Sequence, residues 1–268
     1  MIVCWFSCGA ASAVATKFAI EKYGKENIRI VNNPVVAEHA DNKRFMADCE
    51  RWFGLPIEQA INPCFPSCDP EDVWAEYGVM SMPRFAPCSR ELKQYARRQW
   101  ETDNKFDHKA DTIVMGFTSD ETNRIDRFRE KHPEYNLDPI LQEKGFTKQM
   151  CWDYINNAGI AVPKIYRMGY DNANCIGCVY GGLGYWQKIK RDFPDVFKKR
   201  CEQSRKYGCR LIYATMPDGT RQHLFLDELT DDMKGNEPKG FDCGIFCAAE
   251  YADEKALEQI TALEQKDK

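Results

Sequence analysis

The sequence predicts an α/β fold, a doubly wound and mainly parallel sheet extended by a Cys-rich C-terminal region. Three observations predict it. A short apolar run at residues 2–6 gives way at once to small residues and then to helical spacing. The same order, strand then helix, returns over residues 28–53, and a third β-forming run at 112–117 carries the glycine turn Gly116-Phe117-Thr118 at its end. Strands that alternate with helices favour parallel pairing, because each crossover brings the chain back to the same edge of the sheet.

The elements follow in order. Residues 2–6 form the first strand, Ser7-Cys8-Gly9-Ala10-Ala11-Ser12 a tight turn, and residues 13–23 a helix. Residues 28–31 read as a second strand and Asp41–Phe53 as a helix on which Phe45, Cys49, Trp52 and Phe53 can share one face. A Cys- and Pro-containing loop at 64–70 precedes a short helix at 71–77, and another loop runs past Pro83 and Pro87. Residues 89–100 look helical with Ser89 as the cap, and 147–158 form a helix closed by Gly159. Pro163 opens a loop-rich stretch, so the expected division is 1–162, an α/β domain, and 163–268, a Cys-rich, loop- and helix-containing region packed on it. Beyond Ala249 the Glu- and Lys-rich tail reads as a solvated helix.

With 268 residues, 43% of them hydrophobic, the chain is long enough to bury a core of ordinary size. A net charge of -4 argues against a protein that holds nucleic acid by its overall field. Lys188, Lys190, Arg191, Lys198, Lys199 and Arg200 form a local basic patch, which is either a solvated helix face or a contact for nucleic acid. No run reaches the ~18 apolar residues that a membrane span needs, so a soluble, cytoplasmic protein with no membrane partner is expected. A homo-oligomer is compatible with this composition. Thirteen cysteines at scattered spacings suit an intracellular chain that uses thiols for metal ligation, redox chemistry or burial.

Two features carry chemistry. A strand that delivers Ser7, Gly9 and Ser12 into a helix N-terminus places backbone N–H groups and two hydroxyls where a phosphate can sit, although small residues also serve close strand-to-helix packing. Cys175-Ile176-Gly177-Cys178 is a C-x-x-C, a spacing that lets two thiolates grip one metal or form a redox pair. Between this pair and the C-terminus, Tyr185 or Trp186 can stack on a base or join the core.

The order of segments resembles the PAPS reductase-like branch of the adenine nucleotide alpha hydrolase, or PP-loop, superfamily. Ser7, Gly9 and Ser12 match positions one, three and six of its S-G-G-x-D-S turn, while Cys8 stands for the first Gly and Ala11 for the Asp. Glu38-His39-Ala40-Asp41-Asn42 is similar to the acidic and polar segment near the nucleotide. The run from Pro87 to Lys93, with Cys88, Arg90 and Lys93, is similar to the Cys-x-x-x-Leu-Lys segment, and Gly116 through Glu121 to Arg124 to the Gly-x-x-x-x-Glu-x-x-Arg segment. The resemblance spans residues 1 to about 247.

That resemblance implies an adenine nucleotide, ATP, APS or PAPS, bound by Ser7, Cys8, Gly9, Ala10, Ala11, Ser12, Asp41, Arg90, Lys93, Gly116, Glu121 and Arg124. It also implies an iron–sulfur cluster of the 4Fe–4S type, with tetrahedral zinc as the alternative, on Cys88, Cys175, Cys178 and Cys247. Asp242-Cys243-Gly244-Ile245 resembles the E-C-G-L of the reductases, which makes Cys243 the attacking thiol; the roles of Cys243 and Cys247 are exchangeable, and Phe246 replaces the family's His. The implied activity is reduction or transfer of sulfur from an activated sulfonucleotide, with a thioredoxin-like reductant as partner. The alternatives are ATP-dependent thiolation of a nucleic acid, as in DNA phosphorothioation, and a non-catalytic nucleotide or nucleic-acid binding protein with a structural metal.

Overall fold

A computed structural model describes residues 1–82, 86–215, 219–233 and 243–246. The chain forms two compact units from interleaved segments. The first comprises Met1–Pro34, Glu38–Ile61 and Arg97–Ala173; the second comprises Val35–Ala37, Asn62–Ala96 and the chain from Asn174 onward.

The first unit is built on a five-stranded sheet of β1 (Ile2–Trp5), β2 (Ile28–Asn32), β3 (Ile57–Gln59), β4 (Thr112–Val114) and β5 (Asn136–Asp138). All neighbours are parallel and the order is β3-β2-β1-β4-β5. Cys4 is in register with both Ile30 and Val114, so the central strand is buried between two apolar neighbours. This is the doubly wound α/β class that the alternation of strands and helices predicts.

Helix α1 (Ala10–Tyr23) starts three residues before the expected position, because Gly9 is the last extended residue and Ala10 and Ala11 already favour helix. Buried Ala10, Ala13, Ala15 and Ala19 let its backbone lie close to the sheet. Helix α2 (Asp41–Phe53) has its expected bounds and buries Phe45, Cys49 and Phe53, with Gly54 in the left-handed conformation ending it. Phe6 lies across that face, 6.3 Å from the Phe45 ring and 6.0 Å from Phe53. Thr147 caps the helix Lys148–Asn157 by accepting from the Met150 N–H.

The second unit contains the helix Pro70–Tyr77, started by Pro70 and capped by Asp69, which accepts from the Glu71 N–H at 2.9 Å. The expected cap at Ser89 is corrected: the helical run begins at Pro87, whose ring is preset for a first turn, and Ser89 lies inside it. A π-helical stretch, Arg90–Tyr95, follows directly. Past residue 163 lie helices Leu183–Asp192 and Pro194–Lys206 and the antiparallel pair β6 (Ile212–Thr215) and β7 (Arg221–Leu224). No described helix is long and apolar enough to cross a membrane. The tail beyond Ala249 and Cys247 lie outside the described residues.

Candidate functional site

In the first unit the strand order reverses direction between β1 and β4, and the turns that leave those two strands are the place where open α/β sheets receive ligands. The turn after β1 is held by its own serines. Ser12 Oγ accepts from the Ser7 N–H at 3.1 Å and donates to the Gly9 carbonyl at 3.0 Å, while Ser7 Oγ donates to Ser12 Oγ at 3.2 Å. Cys8 sits at φ 55°, in the left-handed region where the resembling pattern has a glycine. Holding a Cβ there costs roughly 1–2 kcal/mol, so the buried fold around the turn must compensate. Gly116, just past β4, lies against the start of α1: a Cβ on it would stand 2.5 Å from the Ser12 nitrogen. The absence of a side chain is what lets the two turns meet.

Tyr166 belongs to this site and carries no signal in the sequence, since it is 156 residues from its partner. Its buried hydroxyl accepts from the Ala10 N–H at 3.3 Å, at the first residue of α1. Burial pushes the phenol up to about 12, so it stays protonated across the physiological range.

The other expected nucleotide residues are placed as follows. Both Asp41 carboxylate oxygens are engaged by Arg44 at 2.8 Å, and Oδ2 also accepts from the Lys164 N–H at 2.7 Å. The Arg44 guanidinium holds that carboxyl down to about 2. Glu121 Oε2 accepts from the Thr118 N–H and hydroxyl, its Oε1 accepts from Arg124 at 2.7 Å, and the Arg124 guanidinium lies 4.8 Å from the Phe117 ring. Arg90 and Lys93 belong to the second unit, where Lys93 lines the cavity that the cysteines share and Arg90 lies 3.8 Å from Glu91 and over the Tyr95 ring.

In the second unit Cys88, Cys175, Cys178 and Cys243 line one cavity, part of it open to solvent. Cys88 comes from the helical run at Pro87, the C-x-x-C from a loop, and Cys243 from the C-terminal segment. Cys243 Sγ is 3.6 Å from Ser89 Oγ, and Lys93 Nζ donates to the Cys243 carbonyl at 2.9 Å. The Cys178 thiol is held well above the usual range by its hydrogen bond with Cys243, then by burial and by the nearby Cys175 and Cys88. Burial, with Cys243 adding to it, raises Cys88 to about 12. Thiols that disfavour one another's ionisation stay protonated until a cation takes the place of the protons. Among the described residues no three His, Cys, Asp or Glu side chains already converge as tightly as metal ligands do. The donor set nevertheless suits a thiophilic guest, having four soft sulfurs and no histidine in the cavity lining.

The C-x-x-C loop is anchored from behind. Tyr185, on the helix Leu183–Asp192, donates its hydroxyl proton to the Cys175 carbonyl at 2.9 Å and accepts from the Gly177 and Cys178 N–H groups at 2.9 and 3.1 Å. Arg200 Nε donates to the Gly177 carbonyl at 3.3 Å while its guanidinium pairs with Glu71 and covers the Trp74 ring. Of the basic patch, Lys188 pairs with Asp192, Lys190 with Asp231 and Lys199 with Glu71, so much of it is neutralised locally.

No protein-family model matches the chain. Among curated proteins it is 24% identical over 210 residues to an uncharacterized protein of Methanocaldococcus jannaschii, a match covering 76% of this chain and 41% of the relative. The chain therefore spans about two fifths of the length of that relative.

Proposed function

We propose that the chain is an adenine-nucleotide-dependent enzyme of sulfur chemistry, PAPS reductase-like in kind, with an iron–sulfur cluster held by Cys88, Cys175, Cys178 and Cys243. The observation that carries this reading is the meeting of four thiols from three distant segments in one cavity. Buried structural cysteines scatter through a core; Cys4, Cys49 and Cys151 do so here. When bound, the cluster would supply one-electron chemistry or a point of attachment for sulfur.

The chain's own residues do the rest. The N-terminus of α1, with the turn at 7–12 and Gly116 beside it, supports binding of a nucleotide phosphate. Ser89 and Lys93 hold Cys243 by its thiol and its carbonyl. With Cys243 in the thiol set, Cys247 takes the attacking role in a reductase. Its thiolate would form a bond to the sulfur of APS or PAPS as the bond from sulfur to the phosphate oxygen breaks, and AMP or its 3′-phosphorylated form would leave with the electron pair. A thioredoxin-like dithiol would then reduce the enzyme-bound thiosulfonate and release sulfite.

One observation favours a second form. Cys243 in the fourth position removes the thiol that the resemblance made the nucleophile, which suits ATP-dependent sulfur transfer to a nucleic acid. The ion pairs of the patch at 188–200 count the other way.

Anaerobically prepared protein separates the forms. Sulfite released from APS or PAPS with a dithiol reductant supports the reductase, and pyrophosphate released from ATP only with nucleic acid supports the transferase. Failure to bind ATP, APS and PAPS alike would contradict the reading.

A further inference from the structure

Two glycines of the C-x-x-C region, Gly177 and Gly181, let its supports pack closely against it. Gly177 lies at φ +71°, and a Cβ on it would meet Val196 at 2.9 Å and Arg200 at 3.2 Å. Gly181 leaves room for the Tyr185 ring, since a Cβ there would stand 2.0 Å from a ring carbon. The run 175–185 therefore folds back so that its last residue closes on its first. The Tyr185 ring is buried by this packing, and its hydroxyl bonds three backbone groups of the loop, which removes it as a platform for a base.

We infer that Tyr185 is the positioning residue of the C-x-x-C pair: through the Cys175 carbonyl and the Gly177 and Cys178 N–H groups its hydroxyl sets the loop so that both thiols face the cavity before a metal arrives. Arg200 completes the support through the Gly177 carbonyl, which makes this member of the basic patch a loop anchor, 4% exposed, and not a surface charge. The inference rests on the reading of the four thiols as a metal site, but the ordering of the loop does not require metal. Backbone anchors of this kind orient ligands and tune affinity, and their loss typically weakens metal binding by about 10–100-fold.

The test is Tyr185→Phe, which keeps the ring and deletes the hydroxyl, with Co²⁺ as the probe. Competition against a chromophoric chelator is expected to show Co²⁺ bound at least about tenfold more weakly by the variant, with thiolate charge-transfer bands of altered energy. Equal affinity and identical bands would overturn the inference. A second arm needs no metal: amide hydrogen exchange at Gly177 and Cys178 is expected to be slow in the apo wild type and fast in Tyr185→Phe. Fast exchange in the wild type, a measurement that stands even if the variant does not fold, would overturn the inference too. Slow wild-type exchange with no thiolate-bound Co²⁺ would contradict the metal reading alone.

Discussion

The ammonium group of Lys93 donates to the main-chain carbonyl of Cys243 at 2.9 Å, joining positions 150 residues apart. That contact holds the last cysteine of the set in the cavity. It also places Lys93 at the cysteine cavity, whereas its match to the family segment implies a role at a nucleotide phosphate.

Lys93→Met removes the donor while retaining the apolar stem. The account expects loss of bound metal by several-fold relative to wild type, measured as metal per protein after gel filtration, with nucleotide affinity measured by calorimetry within about twofold. A variant that loses nucleotide affinity and keeps its metal would return Lys93 to the phosphate.

Gly116→Ala places a methyl 2.5 Å from the Ser12 nitrogen, against backbone that has no rotamer to yield. Destabilisation of roughly 1–3 kcal/mol is expected in denaturant unfolding, together with loss of nucleotide-induced thermal stabilisation. Unchanged stability would mean that the turns after β1 and β4 do not meet as described.

Tyr166→Phe leaves the Ala10 N–H without its phenol partner. The expected cost is about 1 kcal/mol in the absence of nucleotide, and a phosphate oxygen that takes the same N–H should recover part of it. Thermal unfolding with and without ATP reads both effects: the shift produced by ATP should be larger in the variant than in wild type. A smaller shift would place the phosphate elsewhere.

Asp41 makes a stability contribution with a defined pH range. Its folded-state carboxyl is held at about 2 by Arg44, below the unfolded value of about 3.9, so the contribution is fully present above that unfolded value and is lost as pH falls towards 2. Its side chain is 19% exposed, and solvent screening keeps the expected effect of Asp41→Asn to roughly 1–2 kcal/mol at neutral pH. Urea unfolding of both proteins between pH 7 and pH 2.5 should show the difference shrinking at the acid end; a difference independent of pH would rule out the ion pair as its source.

Much of the first unit was legible because local and tertiary signals agree there. The apolar run of β1, the small residues after it and the amphipathic face of Phe45, Cys49 and Phe53 each specify an element without help from distant residues. Strands β3 and β5 were not legible: each is three residues long and carries polar residues, Glu58 and Gln59 in one and Asn136 and Asp138 in the other, so only parallel pairing makes them strands. Ser89 looked like a cap because Ser is a good one, but Pro87 had already started the helix. The interleaving of the two units depends on Val35–Ala37 bonding into the second, through Val36 to Cys68 and Ile176 to Ala37, pairings that no spacing announces. Residue type alone marked the C-x-x-C. Choosing Cys243 to stand with it required the contacts to Cys178, Ser89 and Lys93, and nothing in the spacing of Tyr185 or Arg200 marks either as an anchor of the loop.

The central claim is that Cys88, Cys175, Cys178 and Cys243 hold one thiolate-bound cofactor, and its most direct measurement is the metal and sulfide content of protein purified without oxygen, wild type beside the four single Cys→Ser variants and Cys209→Ser. The account predicts a coloured wild type containing iron and acid-labile sulfide, a loss of at least half of both in each of the four variants, and wild-type content in Cys209→Ser. Wild-type protein with neither iron nor zinc, and unable to take up either when reconstituted, would contradict it.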